Sequence, residues 1–251
     1  MKSTRTTAAV AGAFFILAAA AAVVGLALYG SLLHDARYVI DGSADTQVRL
    51  GALMEVIVVI AVVGTAVTLY PIVRRQNEGV AIAYVAGRVI EAVIIAVGII
   101  SLLSVLTLRS SFAGATGAQA DAAVVVARAL VAVHDWTFLV GPSLAIGVNT
   151  VLLAYLMLRS KLVPRLIPMI GLVGGPLMFA SGVAELFGLY QQVSVWGGIA
   201  AIPVTAWEMS LAVWLILRGF KPSPILAGVS ATSPPPSPAR PGSSRGAALH
   251  G

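Results

Sequence analysis

Long apolar runs separated by short charged stretches make up most of this chain. After Met1–Arg5 no charged residue appears until Asp35, and the uncharged run from Thr6 to Leu33 is 28 residues long. A second run goes from Leu50 to Val73 and ends at Arg74-Arg75. A third follows Glu78-Gly79 and reaches about Leu108, and a fourth ends at Leu158 before Arg159. A fifth lies between Arg165 and about Gly188, and a sixth goes from about Trp196 to Leu217 before Arg218. About 20 apolar residues in a helix cross the hydrocarbon core of a bilayer. Backbone groups in lipid must find their hydrogen bonds within the segment, so each run is expected to be a helix. The reading is an all-α polytopic membrane protein with six spans, at about 7–33, 50–73, 80–108, 137–158, 166–188 and 196–217. The first run exceeds a signal-peptide core of about 7–15 residues, so it reads as an uncleaved transmembrane helix.

The fourth run is the least regular. Arg128 and His134-Asp135-Trp136 interrupt its approach, and Gly141-Pro142 sits inside it. Proline removes one helical hydrogen bond and kinks the helix. The stretch 120–158 therefore reads as one long kinked helix, or else as an interfacial helix followed by a separate span.

Composition excludes other classes. Charged residues make up only 10% of the 251 and hydrophobic ones 59%, with a mean hydropathy of +0.96. A soluble domain carries about 25% charged residues. A soluble enzyme, a disordered protein and a nucleic-acid binder are thus all disfavoured, despite a net charge of +6. The basic residues instead mark orientation. Lys2, Arg5, Arg74, Arg75, Arg159, Lys161, Arg165, Arg218 and Lys221 fall at one end of the spans. Arg37, Arg49, Arg109 and Arg128 fall at the other, diluted by Asp35, Asp41, Asp45 and Asp121. Both termini are expected in the cytoplasm and the protein in the plasma membrane. The excess of arginine over lysine, 13 to 3, with abundant alanine, hints at a bacterial source of high GC content.

From Pro222 the character changes, and Pro, Ser and Gly dominate through 251. Such a composition cannot build a core and reads as a disordered cytoplasmic tail. With zero Cys, disulfides, thiolate zinc sites and cysteine-bound clusters are excluded. HExxH, GxSxG and P-loop motifs do not occur. No cofactor, no metal and no catalytic residue is expected.

Ionisable residues within spans carry the functional question, because each costs at least about 2.5–3.5 kcal/mol to insert and therefore faces the bundle interior. Arg88 is ten residues past Glu78, Asn149 ten before Arg159, and Glu208 ten before Arg218. At ~1.5 Å per residue all three lie about 15 Å deep, near mid-bilayer. Glu91, three residues after Arg88, shares its helix face. A candidate midplane site is therefore Arg88, Glu91, Asn149 and Glu208. It reads either as a site for a small ligand or protons, or as a structural lock between helices. A second layer lies further out, with Glu55, Glu185, His134 and Asp135. It reads as solvated loop-edge carboxylates, or as a site for a cation or polar ligand. Trp196 fits an interfacial belt, while Trp207 and Trp214 read as packing. Gly171-x-x-x-Gly175 and Ala8-x-x-x-Gly12 fit close helix contact.

Several segments together resemble a known family. They are Gln47–Glu55, Arg74–Gly79, Gly87–Glu91, Asp135–Pro142 followed by Asn149, Arg159–Arg165, and Trp207-Glu208 before Gly219–Pro222. The chain from about 1 to 224 resembles the bacterial six-helix membrane proteins of domain-of-unknown-function family 4386. The resemblance implies a six-helix fold and a membrane location, and no activity. The functional expectation is a sensor, a permease-like component or a stress-related accessory that handles a small ligand or protons. The runner-up is a structural subunit of an oligomer or of a partner membrane protein, and a lipid- or isoprenoid-modifying enzyme comes third.

Overall fold

The computed structural model describes residues 2–35, 37–191 and 194–229. Its elements are α1 (Lys2–His34), the short α2 (Tyr38–Asp41), α3 (Asp45–Val73), α4 (Glu78–Phe112), α5 (Ala118–Phe138), a π-helical segment (Leu139–Ala145), α6 (Ile146–Ser160), α7 (Leu166–Leu186), α8 (Val195–Leu217) and a 3-10 turn (Pro224–Val229). Six helical stretches are long and apolar enough to cross a membrane. They are the six runs read from the sequence, and the chain is an all-α polytopic membrane protein.

The fourth stretch resolves the ambiguity around Pro142. It runs unbroken from Ala118 to Ser160 as one long helix through Pro142. Pro142 has no N–H to give the preceding turn, and the helix answers by widening to π geometry over Leu139–Ala145.

Local chemistry sets the helix ends. Asn77 is extended, and its side chain accepts from the Val80 N–H at 3.0 Å, which starts α4. Ser194 caps α8 through the Gly197 N–H at 3.2 Å. Lys161 takes the left-handed conformation that ends α6, at φ 56°.

The long helices close a ring. Helix α1 packs on α3, α3 on α4, α4 on α6, α6 on α7, α7 on α8, and α8 returns to α1. Small residues allow the close crossings. A Cβ on Gly175 would meet the Gly147 carbonyl at 2.7 Å, and one on Gly12 would meet the Ala212 carbonyl at 2.7 Å. Gly171 similarly leaves room for the Trp207 ring, and Trp207 is fully buried.

Two apolar clusters fill the ring. One surrounds Leu69, Tyr84, Leu153, Met157, Trp207 and Leu211 at the basic end. The other surrounds Tyr29, Leu32, Val48, Ile95, Leu102 and Val105 at the opposite end. The basic end is tied together by backbone acceptors: Arg5 donates to the Ile216 and Leu217 carbonyls at 2.9 Å each, capping α8. Within the stretch expected as a disordered tail, Pro224–Val229 forms the 3-10 turn. Ile225 and Leu226 pack on the basic-end cluster, and Ser223 donates to the Ser160 carbonyl at 2.6 Å. Apolar side chains inside a proline-rich stretch found cover there. The remainder of the tail, 230–251, lies outside the described residues.

Candidate functional site

All four expected midplane residues converge at the seam between the two apolar clusters. Arg88 comes from α4, about three turns past the Asn77 cap. Its Nη1 donates to both Glu91 oxygens at 3.2 Å, and its Nη2 donates to Glu208 Oε1 of α8 at 2.9 Å. Asn149 of α6 donates through Nδ2 to Glu91 Oε2 at 2.7 Å. The Arg88 and Glu91 side chains are 4% and 3% exposed, whereas Glu208 keeps 16%. No hydrogen bond from the described residues reaches the second Glu208 oxygen.

The network extends further than the sequence reading. Arg88 Nε donates to the Tyr84 hydroxyl at 3.4 Å, and that hydroxyl lies 3.3 Å from Thr65 Oγ1. Thr65 in turn donates to the Val62 carbonyl at 2.7 Å. The guanidinium also stands over the Tyr84 and Phe15 rings, at 5.6 and 5.8 Å from their centroids. Tyr84 precedes Arg88 by four residues, so helical spacing had already put it on that face. Thr65 and Phe15 carry no comparable signal, since small hydroxyls and aromatics are common in apolar helices. Gly87 belongs to the site by absence: a Cβ there would overlap Asn149 Oδ1.

A cavity of about 120 Å³ lies against this cluster. Its charged wall is Arg88, Glu91 and Glu208, and its apolar wall includes Phe15, Ala18, Ala19, Val62, Ile95 and Ile146. It opens beside α1, where Ala22 of its lining is exposed. Leu69, Leu153, Leu156, Met157, Trp207 and Leu211 of the basic-end cluster are fully buried and are not part of its lining.

Of the outer layer, three residues come together. His134 Nε2 is 3.6 Å from Glu55 Oε1, and its Nδ1 is 3.6 Å from Asp135 Oδ1. The Tyr29 hydroxyl, which nothing in the sequence marked, donates to Glu55 Oε2 at 2.9 Å. Expected as solvated edges, Glu55 and His134 are instead 14% and 4% exposed, while Asp135 is 62% exposed. Gly98 permits the approach of α5, since a Cβ there would meet Thr137 Oγ1 at 2.5 Å. A smaller cavity of about 40 Å³ touches Glu55, His134 and Thr137. It shares Ala22, Val58, Ile95 and Pro142 with the larger one. Pro142 of the π segment thus lines both.

Glu185 does not join this group. Its hydrogen-bond partner is Ser181 on its own helix, at 3.1 Å, and Ser181 in turn meets the Tyr190 hydroxyl at 2.7 Å. Depth along a helix cannot tell which side of the ring a residue faces, and α7 turns Glu185 to a different neighbour. Its Oε2 is buried without a hydrogen-bond partner. Among the described residues, no three His, Asp or Glu side chains converge as metal ligands would.

The end opposite the basic loops has its own lock. Arg109 at the end of α4 pairs with Asp45 and donates to the Gly42 carbonyl, with its guanidinium 5.7 Å from the Tyr38 ring centroid. The Tyr38 hydroxyl donates to Asp45 at 2.8 Å. Burial first, and then this bond to a carboxylate, push the Tyr38 phenol up to about 12.

No curated protein and no solved structure matches the chain. The family described as a domain of unknown function (DUF4386) matches residues 10–219, spanning all six membrane helices and every residue of both polar groups, and the chain belongs to that family.

Proposed function

We propose that this protein handles protons or a small ligand at the Arg88–Glu91–Asn149–Glu208 site, as a sensor or permease-like component of a bacterial plasma membrane. The observation that carries the reading is a charge count beside a cavity. One guanidinium faces two carboxyl groups in an apolar surround. Such a cluster is neutral only with one further positive charge, and uncompensated charge in a membrane interior is costly. Glu208, whose second oxygen accepts no hydrogen bond from the described residues, lines the cavity, where that charge has room. The Asp135–His134–Glu55 series supports proton access from the end opposite the basic loops, which faces outward if the basic end is cytoplasmic.

Acid-induced infrared difference spectra of the reconstituted protein test the reading. The expected result is protonation of one carboxyl group per chain that Glu208→Gln abolishes. Identical spectra from the two proteins would overturn it. A reporter fused after Lys221 tests the orientation, and an extracellular reporter reverses it.

A structural lock without ligand is the second reading, favoured by the saturation of Glu91, whose oxygens take both Arg88 and Asn149. It requires that the neutral triple variant Arg88→Met/Glu91→Gln/Glu208→Gln behave normally in the cell.

A further inference from the structure

Resting on that reading of the site, we propose that the cavity beside Glu208 binds a monocationic amine bearing a compact apolar group, in exchange for one proton.

Charge selects the sign of the ligand. The ionisable groups around Glu208 are Arg88, Glu91 and Tyr84, all from α4. Phe15 of α1, Thr65 of α3 and Asn149 of α6 complete the surround and do not ionise. Arg88 is already engaged by both carboxyl groups, so an anion would meet two carboxylates and no free cation. A neutral ligand leaves the charge count open, and a monocation closes it.

The lining selects the ligand's body. A hard metal ion requires six or more oxygens, and the described residues offer it one unbonded carboxylate oxygen among apolar side chains. An ammonium group needs only acceptors within reach, and its apolar substituent has Phe15, Val62, Ile95 and Ile146 to lie against. The volume, about 120 Å³, is of the order at which an apolar protein cavity (roughly 150 Å³) accepts a benzene ring.

Geometry also fixes the route. The cavity's lining includes no residue of the basic-end loops, so ligand and proton both use the other half of the bundle. The amine enters at the opening beside α1, from an apolar outer surface that includes Val23, Val24 and Leu26. The proton leaves through the smaller cavity to Glu55, His134 and exposed Asp135. The exchange is balanced: the carboxyl group that carries the cluster's one extra proton loses it to water, and the carboxylate left behind pairs with the incoming ammonium. No covalent bond to carbon changes.

Calorimetric titration of the nanodisc-embedded protein tests this with three probes of one shape: benzylamine, benzyl alcohol and benzoate. Empty nanodiscs correct for partition into lipid, and buffers of different ionisation heat count protons. The expected result is saturable benzylamine binding with release of about one proton, with the alcohol and the acid at least about tenfold weaker. Glu208→Gln and the cavity-filling Ala18→Phe should each weaken benzylamine by a similar factor, and Ala18→Phe leaves every site carboxyl in place. Equal binding of all three probes, or benzylamine binding without proton release, overturns the proposal. So does absence of benzylamine binding while the infrared experiment still shows the carboxyl protonation, an outcome that leaves the proton-handling reading standing. Loss of the infrared signal as well removes both.

Discussion

Glu208 Oε1 accepts from Arg88 Nη2 at 2.9 Å across 120 residues of chain. The pair joins α8 to α4, two helices that are not neighbours in the order around the ring. Arg88 is therefore the hub through which α4, α6 and α8 meet on a single polar network.

Removing that hub leaves two carboxyl groups in an apolar interior without their counter-charge. Arg88→Met should lower stability by about 3–5 kcal/mol, the cost of breaking a buried pair from one side. The triple variant that also neutralises Glu91 and Glu208 should recover most of that loss. Thermal unfolding in one detergent, compared across the three proteins, provides the check. A triple variant no more stable than Arg88→Met would contradict the account.

Gly87 and Asn149 form a second testable pair. A methyl group on Gly87 displaces the Asn149 side chain that holds Glu91. Gly87→Ala should cost about 1–3 kcal/mol, as overpacking and a lost buried hydrogen bond do. Asn149→Ala should make room and absorb part of that cost, so the double mutant should be non-additive by about 0.5 kcal/mol or more. Additive losses would show that the two positions do not communicate.

The π segment is a consequence of Pro142, which lines both cavities. Pro142→Ala restores the missing N–H and allows the helix to tighten to α geometry. Amide exchange over Leu139–Ala145 should slow by about tenfold, reflecting roughly one additional hydrogen bond. Unchanged exchange would mean that tertiary contacts, and not proline, hold the segment open.

Tyr38 provides a pH prediction outside the spans. Its folded-state value of about 12 is above the ordinary 10 of a free phenol. The folded protein therefore keeps a proton that the unfolded chain gives up. The associated stabilisation is fully present below pH 10 and disappears as pH rises through about 12. Tyr38→Phe should flatten that alkaline loss, seen by comparing unfolding midpoints across this window. An identical alkaline profile in the variant would refute the assignment.

Much of this molecule was legible along the chain. Six apolar runs of sufficient length had to be helices, because lipid offers the backbone no other hydrogen-bond partner. The spacing of Arg88, Glu91, Asn149 and Glu208 from flanking charges placed them at one depth, since rise per residue is fixed in a helix. Burial cost then required them to face inward, and four inward polar groups at one depth meet. Depth alone does not give azimuth around the ring. Glu55, His134 and Glu185 shared a depth too, yet only the packing of α1, α3 and α5 decided that Tyr29, Glu55 and His134 would meet while Glu185 turned to Ser181. The same holds for the cavity. It exists because α1, α3, α4, α6 and α8 leave space where their side chains do not interdigitate. A void is a property of several surfaces at once, and no single helix encodes it.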